Sequence, residues 1–130
     1  HQNALKNQLT VEDQISFWQV VSNNEYDFDN DPMEIHSILD KRLYECSEGQ
    51  RRRIALTRLV IENKKFWLLD EPTVSLDTKN MQLFKDTLRI HCDNGGSAMI
   101  ATHDSIGIES SSEIHLSLDK SLLKQNDPFI

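Results

Sequence analysis

Residues 66–71 read FWLLDE, a run of four apolar residues that ends abruptly on two acids. An uninterrupted apolar run of this length is typical of a strand buried on both faces, as in a parallel sheet. The run AMIA at residues 98–101 repeats the pattern, and apolar residues at helical spacing lie between the two runs. We therefore predict that strands at 66–70 and 97–101 pair in parallel across a helix over about 78–93.

Three further helices are predicted on the amino-terminal side of these strands. Thr10 begins a capping-box pattern, and apolar residues then recur at helical spacing over about 10–22. Asp31 followed by a proline resembles an N-cap and a first-turn residue, which predicts a second helix to about residue 43. A third helix is predicted over about 50–63, where apolar residues lie on one face and arginines elsewhere.

These elements predict an α/β protein with three parts along the chain. Residues 1–46 form a helical region, residues 47–118 form the core with the parallel strands, and residues 119–130 form a weakly structured tail. Within the core, the sequence EIHLSL predicts one last short strand at about 113–118.

Composition limits the classes of function that the chain can have. Its 130 residues allow one domain or part of one, at about 100–200 residues per domain. The net charge of −7 argues against a protein whose main function is to bind nucleic acid or an anionic bilayer, so we predict no nucleic-acid partner. No apolar run approaches the ~20 residues that span a bilayer.

Two neighbouring acids, Asp70 and Glu71, follow directly on the first strand. They lie at the carboxyl end of a parallel sheet, where ligands bind in open α/β folds. One carboxylate can hold Mg²⁺ through water while the other faces an attacking water. Adjacent acids also end many strands simply as solvated charge, so the pair alone leaves both interpretations open.

Four short motifs in a fixed order resemble those of the nucleotide-binding subunit of ABC transporters. CSEGQ at 46–50 resembles the signature motif, and FWLLDE at 66–71 resembles the Walker B strand. SLD at 75–77 resembles the D-loop, and THD at 102–104 resembles the switch-histidine segment. The resemblance implies a P-loop NTPase fold with a partial parallel sheet and a helical subdomain, and it implies ATP and Mg²⁺ as ligands.

The resemblance also assigns roles to single residues. Glu71 would activate the water that attacks ATP, Asp70 would bind Mg²⁺ through water, and His103 would sense the γ-phosphate. His1 or Gln2 would be the Q-loop residue near the metal. The residues that would contact the nucleotide held by the opposite subunit are Ser47, Gly49, Gln50 and Asp77.

The chain departs from the family pattern in two respects. The signature usually begins with Leu and has Gly in third place, whereas Cys46 and Glu48 stand here. Glu48 therefore places a negative charge near a site for phosphate. No GxxxxGK[ST] loop exists among the four glycines of the chain, so we expect the sequence to hold roughly the carboxyl-terminal two-thirds of a nucleotide-binding domain and to be inactive by itself.

The start of the chain points to one group of transporters. HQNALK at 1–6, the Phe-Trp pair at 17–18 and the arginines at 51–53 resemble the haem-exporter ATPase subunit of cytochrome c maturation. This resemblance implies integral membrane transporter subunits as partners, docked on residues 10–43, and a second ATPase subunit in a homodimer. It places the protein peripherally on the cytoplasmic face of the inner membrane, with the mitochondrial inner membrane as another location.

Three other interpretations remain. The chain could belong to another ABC importer or exporter, or to a soluble ABC ATPase of DNA repair or translation. Repair ATPases insert long coiled coils before the signature, and only a short segment without heptads intervenes here. The chain could also be a non-catalytic module that lends its signature to a partner's ATP, although Glu71 and His103 argue against a degenerate site.

Overall fold

The computed structural model describes residues 8–108 together with residues 112, 114 and 116. The described elements, in chain order, are helix α1 (Val11–Ser22), helix α2 (Glu48–Glu62), strand β1 (Phe66–Asp70), helix α3 (Thr78–Asp93) and strand β2 (Ser97–Ala101). Three short 3-10 helices, Phe28–Asn30, Ile35–Ile38 and Leu43–Glu45, lie between α1 and α2. Three of the four predicted helices are thus confirmed, with α2 beginning two residues earlier than expected.

Both predicted strands are present, and they pair in parallel as expected. Phe66 lies opposite Ser97 and Asp70 lies opposite Ala101, so the two strands end together. Helix α3 makes the connection between them, beginning after Asp77, whose side chain caps its first turn. The carboxyl ends of both strands therefore meet at one edge, and the residues that follow each strand become neighbours.

One face of this sheet is covered and the other is open in the described part of the chain. Trp67 and Leu69 are buried on the inner face. On the other face Phe66, Leu68 and Met99 are 56%, 70% and 58% exposed. The expectation that both faces are buried is therefore wrong for the described residues. Helices α2 and α3 and the segment before them supply a single covering layer.

The helix predicted from Asp31 to residue 43 is wrong, because the backbone there bonds to distant side chains. Arg53 Nε donates to the Met33 carbonyl at 2.9 Å, and the same guanidinium donates to the Glu34 carbonyl at 2.5 Å. An α-helix needs those carbonyls for its own ladder. Glu34 also adopts the left-handed region, at φ 51°, which interrupts a helix.

Asp31 does not act as the expected N-cap of a long helix. Its carboxylate accepts hydrogen bonds from the Tyr26 hydroxyl and from both the backbone and the ring of His36. Burial raises the pKa of the Asp31 carboxyl, but these hydrogen bonds outweigh it and leave the pKa below its usual range. The carboxylate thus holds together a compact turn.

The core joins the helical region to the sheet. The Asn24 amide donates to the Ile61 carbonyl at 2.9 Å and so caps the end of α2 from 37 residues away. The fully buried side chains come from α1, from the segment between the helices, and from α2 and α3. They are Val11, Ile15, Met33, Ile35, Thr57, Ile61 and Phe84.

Several expectations concern residues outside the described part of the chain. His1 and Gln2, the tail at 119–130 and most of the strand expected at 113–118 belong to this group. Among the described residues, no helix combines the length and the apolar character needed to cross a membrane.

Candidate functional site

Glu71 stands where the chain leaves the sheet, in a backbone conformation that turns its carboxylate toward the second strand. Its N–H donates to the Ala101 carbonyl at 2.8 Å, which extends the parallel ladder one residue beyond Asp70. Its φ of 46° is left-handed, a conformation that few residues other than glycine adopt. Such strain occurs often at functional sites.

The Glu71 carboxylate is bound by the segment that follows β2. Glu71 Oε1 accepts a hydrogen bond from the backbone N–H of His103 at 3.0 Å, and Oε2 accepts one from the Thr102 hydroxyl at 3.3 Å. The ring atom Nε2 of His103 lies 3.5 Å from Glu71 Oε1. The structure therefore brings together the two residues that the sequence predicted as catalytic.

Thr102 is the contributor that sequence reasoning missed. Its hydroxyl donates to Glu71 and also accepts from the Asp104 backbone N–H at 3.2 Å, which closes a small turn around His103. The available signal was a hydroxyl residue directly before the histidine at a strand end. Nothing in the sequence alone said that this hydroxyl would face the acid 31 residues away.

The site is open to solvent on the histidine side. The His103 side chain is 96% exposed, whereas the Glu71 side chain is 28% exposed. Asp70 is also exposed, and its carboxylate makes no hydrogen bond or ion pair with any other described residue. A carboxylate held by two hydrogen bonds thus lies beside an exposed carboxylate and an exposed imidazole.

The surroundings of Asp70 fit Mg²⁺ better than a metal ion whose ligands all come from protein side chains. No cluster of three or more His, Cys, Asp or Glu side chains suitable for a metal occurs within the described ranges. Mg²⁺ keeps several waters and is commonly bound by one or two carboxylates together with substrate phosphates. One exposed carboxylate at a strand end fits that kind of donor set.

The signature residues form the start of α2. Ser47 Oγ accepts from the Gln50 backbone N–H at 3.1 Å, and Gln50 Oε1 accepts from the Ser47 N–H at 2.9 Å. The side chain of Lys41 also donates to Gln50 Oε1, at 3.2 Å. Both predicted side chains therefore cap the helix here, which uses the Gln50 N–H. The N–H groups of Glu48 and Gly49 bond to no described residue and are potential anion donors.

Cys46 replaces the apolar residue of the family pattern without disturbing the packing. Its side chain is buried, and burial raises the pKa of its thiol. A neutral buried thiol behaves as a small hydrophobic side chain. Cys46 thus occupies a buried, apolar position at the start of the signature.

Two more predicted residues lie near the loop that joins β1 to α3. A Cβ atom at Gly49 would lie 2.8 Å from the Ser75 carbonyl oxygen, so only glycine fits this approach. Asp77 Oδ1 accepts from the Asn80 backbone N–H at 2.8 Å, which occupies one of its oxygens in capping α3. In residues 8–108 no hydrogen bond joins the signature group directly to Glu71 or His103.

Comparison with known proteins agrees with this arrangement. The family described as ABC transporter matches residues 1–74. The cytochrome c biogenesis ATP-binding export protein CcmA of Paracoccus denitrificans is 37% identical over 117 residues, which cover 89% of this chain. The same protein of Ruegeria pomeroyi is 38% identical over 114 residues and 85% of this chain. The chain spans about half the length of these relatives, 56% and 54%.

A solved structure shows the same fold. A putative ABC transporter ATP-binding protein from Pyrococcus furiosus superposes with a TM-score of 0.63 at 24% identity, covering 78% of this chain and 52% of the other. The similarity at this level of identity concerns the fold alone. It confirms the P-loop NTPase fold and the partial parallel sheet expected from the sequence.

Proposed function

The chain belongs to the ABC transporter family, and we propose that the complete protein binds and hydrolyses ATP as the nucleotide-binding subunit of a membrane transporter. The observation that carries this proposal is the contact of Glu71 with Thr102 and His103 at the paired strand ends. A carboxylate held as a hydrogen-bond acceptor beside an exposed imidazole is suited to general-base chemistry on a water molecule.

Each side chain of the site takes one part of the reaction. Glu71 orients the attacking water and accepts its proton, and the backbone N–H of His103 keeps the carboxylate in place. The exposed His103 ring donates a hydrogen bond to the γ-phosphate and so reports whether the phosphate is present. Positioning and electrostatic stabilisation supply most of the rate in phosphoryl transfer, because little covalent chemistry is left to the protein.

Asp70 is the residue that would hold Mg²⁺, through the water shell of the ion. The ion would supply neutralisation of the phosphate charge. Asp70 and Glu71 are neighbours in sequence. In this proposal Asp70 would hold the metal ion, and Glu71 binds the attacking water.

A second copy of the subunit completes the site in this proposal. Ser47, Gly49 and Gln50 lie at a helix amino terminus, where the N–H groups of Glu48 and Gly49, which bond to no described residue, and the helix dipole favour an anion. We assign them to the γ-phosphate of ATP bound by the other subunit. Asp77 retains one carboxylate oxygen for a contact across the dimer, since its other oxygen caps α3.

The transported or released compound is proposed from the relatives. Two proteins at 37% and 38% identity carry the name cytochrome c biogenesis ATP-binding export protein. We therefore propose that ATP hydrolysis serves haem export or haem release in cytochrome c maturation. Both are bacterial proteins, which supports a position at the bacterial inner membrane and lends nothing to the mitochondrial alternative.

Helix α1 offers the surface for docking an integral membrane subunit. Phe17, Val20 and Val21 are 58%, 80% and 69% exposed and lie at helical spacing along one side of α1. Exposed apolar groups at this spacing mark a protein interaction surface. These three residues lie within residues 10–43, the segment predicted from the sequence to dock the membrane subunit.

The docking proposal predicts that Val20→Asp in the complete protein lowers recovery in the membrane fraction about tenfold, the effect of about 1.4 kcal/mol. Nucleotide binding should not change. Ile90→Asp is the matched control, because Ile90 is a half-exposed aliphatic residue on α3. Equal membrane recovery for both variants would exclude α1 as the docking surface.

The catalytic proposal predicts that His103→Ala lowers the steady-state kcat for ATP about 10²-fold, the usual effect of removing one donor from a developing oxyanion. His36→Ala is the matched control, since His36 is an exposed histidine bound to Asp31 in the helical region. A kcat within about threefold of wild type for His103→Ala would remove this residue from the mechanism.

A further inference from the structure

Two contacts join the first turn of α2 to the loop between β1 and α3. Glu48 Oε2 accepts a hydrogen bond from the Ser75 hydroxyl at 3.0 Å, across 27 residues of sequence. Directly beside it, Gly49 approaches the Ser75 carbonyl so closely that a Cβ atom would lie 2.8 Å from the oxygen. The Ser75 side chain is therefore hydrogen-bonded to one signature residue, and the Ser75 carbonyl lies close to the next.

Ser75 needs such support, because its backbone is strained. Its φ of 68° is in the left-handed region, which costs a residue with a side chain about 1 kcal/mol or more. The loop around it has only two internal backbone hydrogen bonds, Val74 N–H to Glu71 at 3.4 Å and Leu76 N–H to Thr73 at 3.2 Å. The hydrogen bond to Glu48 adds a contact from outside to the few backbone hydrogen bonds within this loop.

This geometry gives Glu48 a use that the family pattern did not predict. Glycine is usual at its position, and a carboxylate there faces the same region as the phosphate assigned to Ser47. The bond to Ser75 turns the carboxylate toward the loop. Arg51 and Arg52 line the same surface cleft as Glu48 and Ser75.

We propose that Glu48 is a positioning residue that locks the loop 71–77 to the signature turn of the same subunit. The loop begins at Glu71, the proposed base, and ends at Asp77, the N-cap of α3. The lock therefore connects both residues to the turn that carries Ser47. The two segments then move as one body when nucleotide is bound. The effect on turnover rests on the proposed function, whereas the lock itself does not.

Amide hydrogen exchange in the complete protein tests the lock without any assay of activity. Glu48→Ala and Ser75→Ala should each raise exchange at the Val74 and Leu76 amides about fivefold, the effect of losing one modest hydrogen bond. The double variant should exchange no faster than either single variant, because both remove the same bond. Glu62→Ala, at the far end of α2, is the matched control and should leave both amides unchanged.

Independent effects of the two substitutions, or exchange at these amides unchanged in both, would overturn the proposal. The second readout is ATP turnover, where Glu48→Ala should lower kcat about fivefold and leave KM within twofold, whereas Glu48→Gln should keep most of the activity. A KM change without a kcat change would show that Glu48 acts on phosphate by charge instead. Absence of turnover in the wild type would refute the proposed function, and the exchange data would still decide the lock.

Discussion

Two regions of the molecule differ in how their backbone groups form hydrogen bonds. One is the unit from β1 to β2, and the other is the segment from 24 to 45. In the first, strands bond to each other in register and α3 bonds within itself, so the backbone hydrogen bonds lie inside or between regular elements. In the second, Arg53 holds the carbonyls of Met33 and Glu34 from another helix. Regular elements therefore position the site residues, while the irregular segment depends on long-range side-chain contacts.

The same contrast separates the two parts of the site. Asp70 ends β1, Glu71 follows it, and His103 lies two residues after β2, so the pairing of the strands makes them neighbours. The signature turn reaches the loop 71–77 only through Glu48 and Gly49. The first group is fixed by the sheet, and the second depends on individual side chains.

The largest expected effect concerns the open face of the sheet. Strands of parallel sheets are normally covered on both faces, so we expect a layer outside the described residues to cover Leu68 in the complete protein. Leu68→Ala should then lower the free energy of unfolding by about 2–4 kcal/mol, measured by denaturant titration, although Leu68 is 70% exposed here.

Ile90→Ala is the control for this experiment, since Ile90 is 52% exposed on α3 and should change stability by less than about 1 kcal/mol. A Leu68→Ala variant as stable as this control would mean that the face stays open. The two strands would then position the site residues without a layer over their second face.

A smaller effect is expected where Arg53 supports the irregular segment. Arg53→Met keeps the length of the side chain but removes donors from two carbonyls, so we expect a loss of about 2 kcal/mol in the free energy of unfolding. Arg58→Met on the same helix is the control. Arg58 forms an exposed ion pair with Glu62 at 2.7 Å, and such pairs contribute about 0.3–0.5 kcal/mol.

Equal losses for Arg53→Met and Arg58→Met would contradict this account of the segment 24–45. Hydrogen exchange can sharpen the result, because loss of Arg53 should raise exchange in the turn at residues 35–38 and leave β1 unchanged. Uniform exchange changes across both regions would show that they unfold as one unit.

The success of sequence reasoning follows the same division. Thr10 and its capping box, and the apolar runs at 66–69 and 98–101, predicted elements whose hydrogen bonds are local or regular. The helix from Asp31 failed because distant Arg53 and nearby Tyr26 compete for the groups that a helix needs. The pattern of residue types along the sequence does not show that Arg53 and Tyr26 become hydrogen-bond partners of this segment.

In the site, residue types and order indicated Asp70, Glu71 and His103, and the geometry places the last two in contact. The roles of Thr102 and Glu48 could not be predicted. Each depends on a hydroxyl or carboxylate meeting a partner 31 or 27 residues away, at an angle set by the fold.

Single-turnover hydrolysis of ATP by the complete protein and its Glu71→Gln variant tests the central claim most directly. Glutamine keeps the size of the side chain and the acceptor for the His103 N–H but cannot take a proton from water. We expect unchanged ATP binding and a rate lower by about 10²–10⁴-fold, the usual contribution of a positioned base. The control Glu62→Gln, on α2, should hydrolyse at the wild-type rate. A Glu71→Gln rate within about threefold of wild type would contradict the assignment of this site.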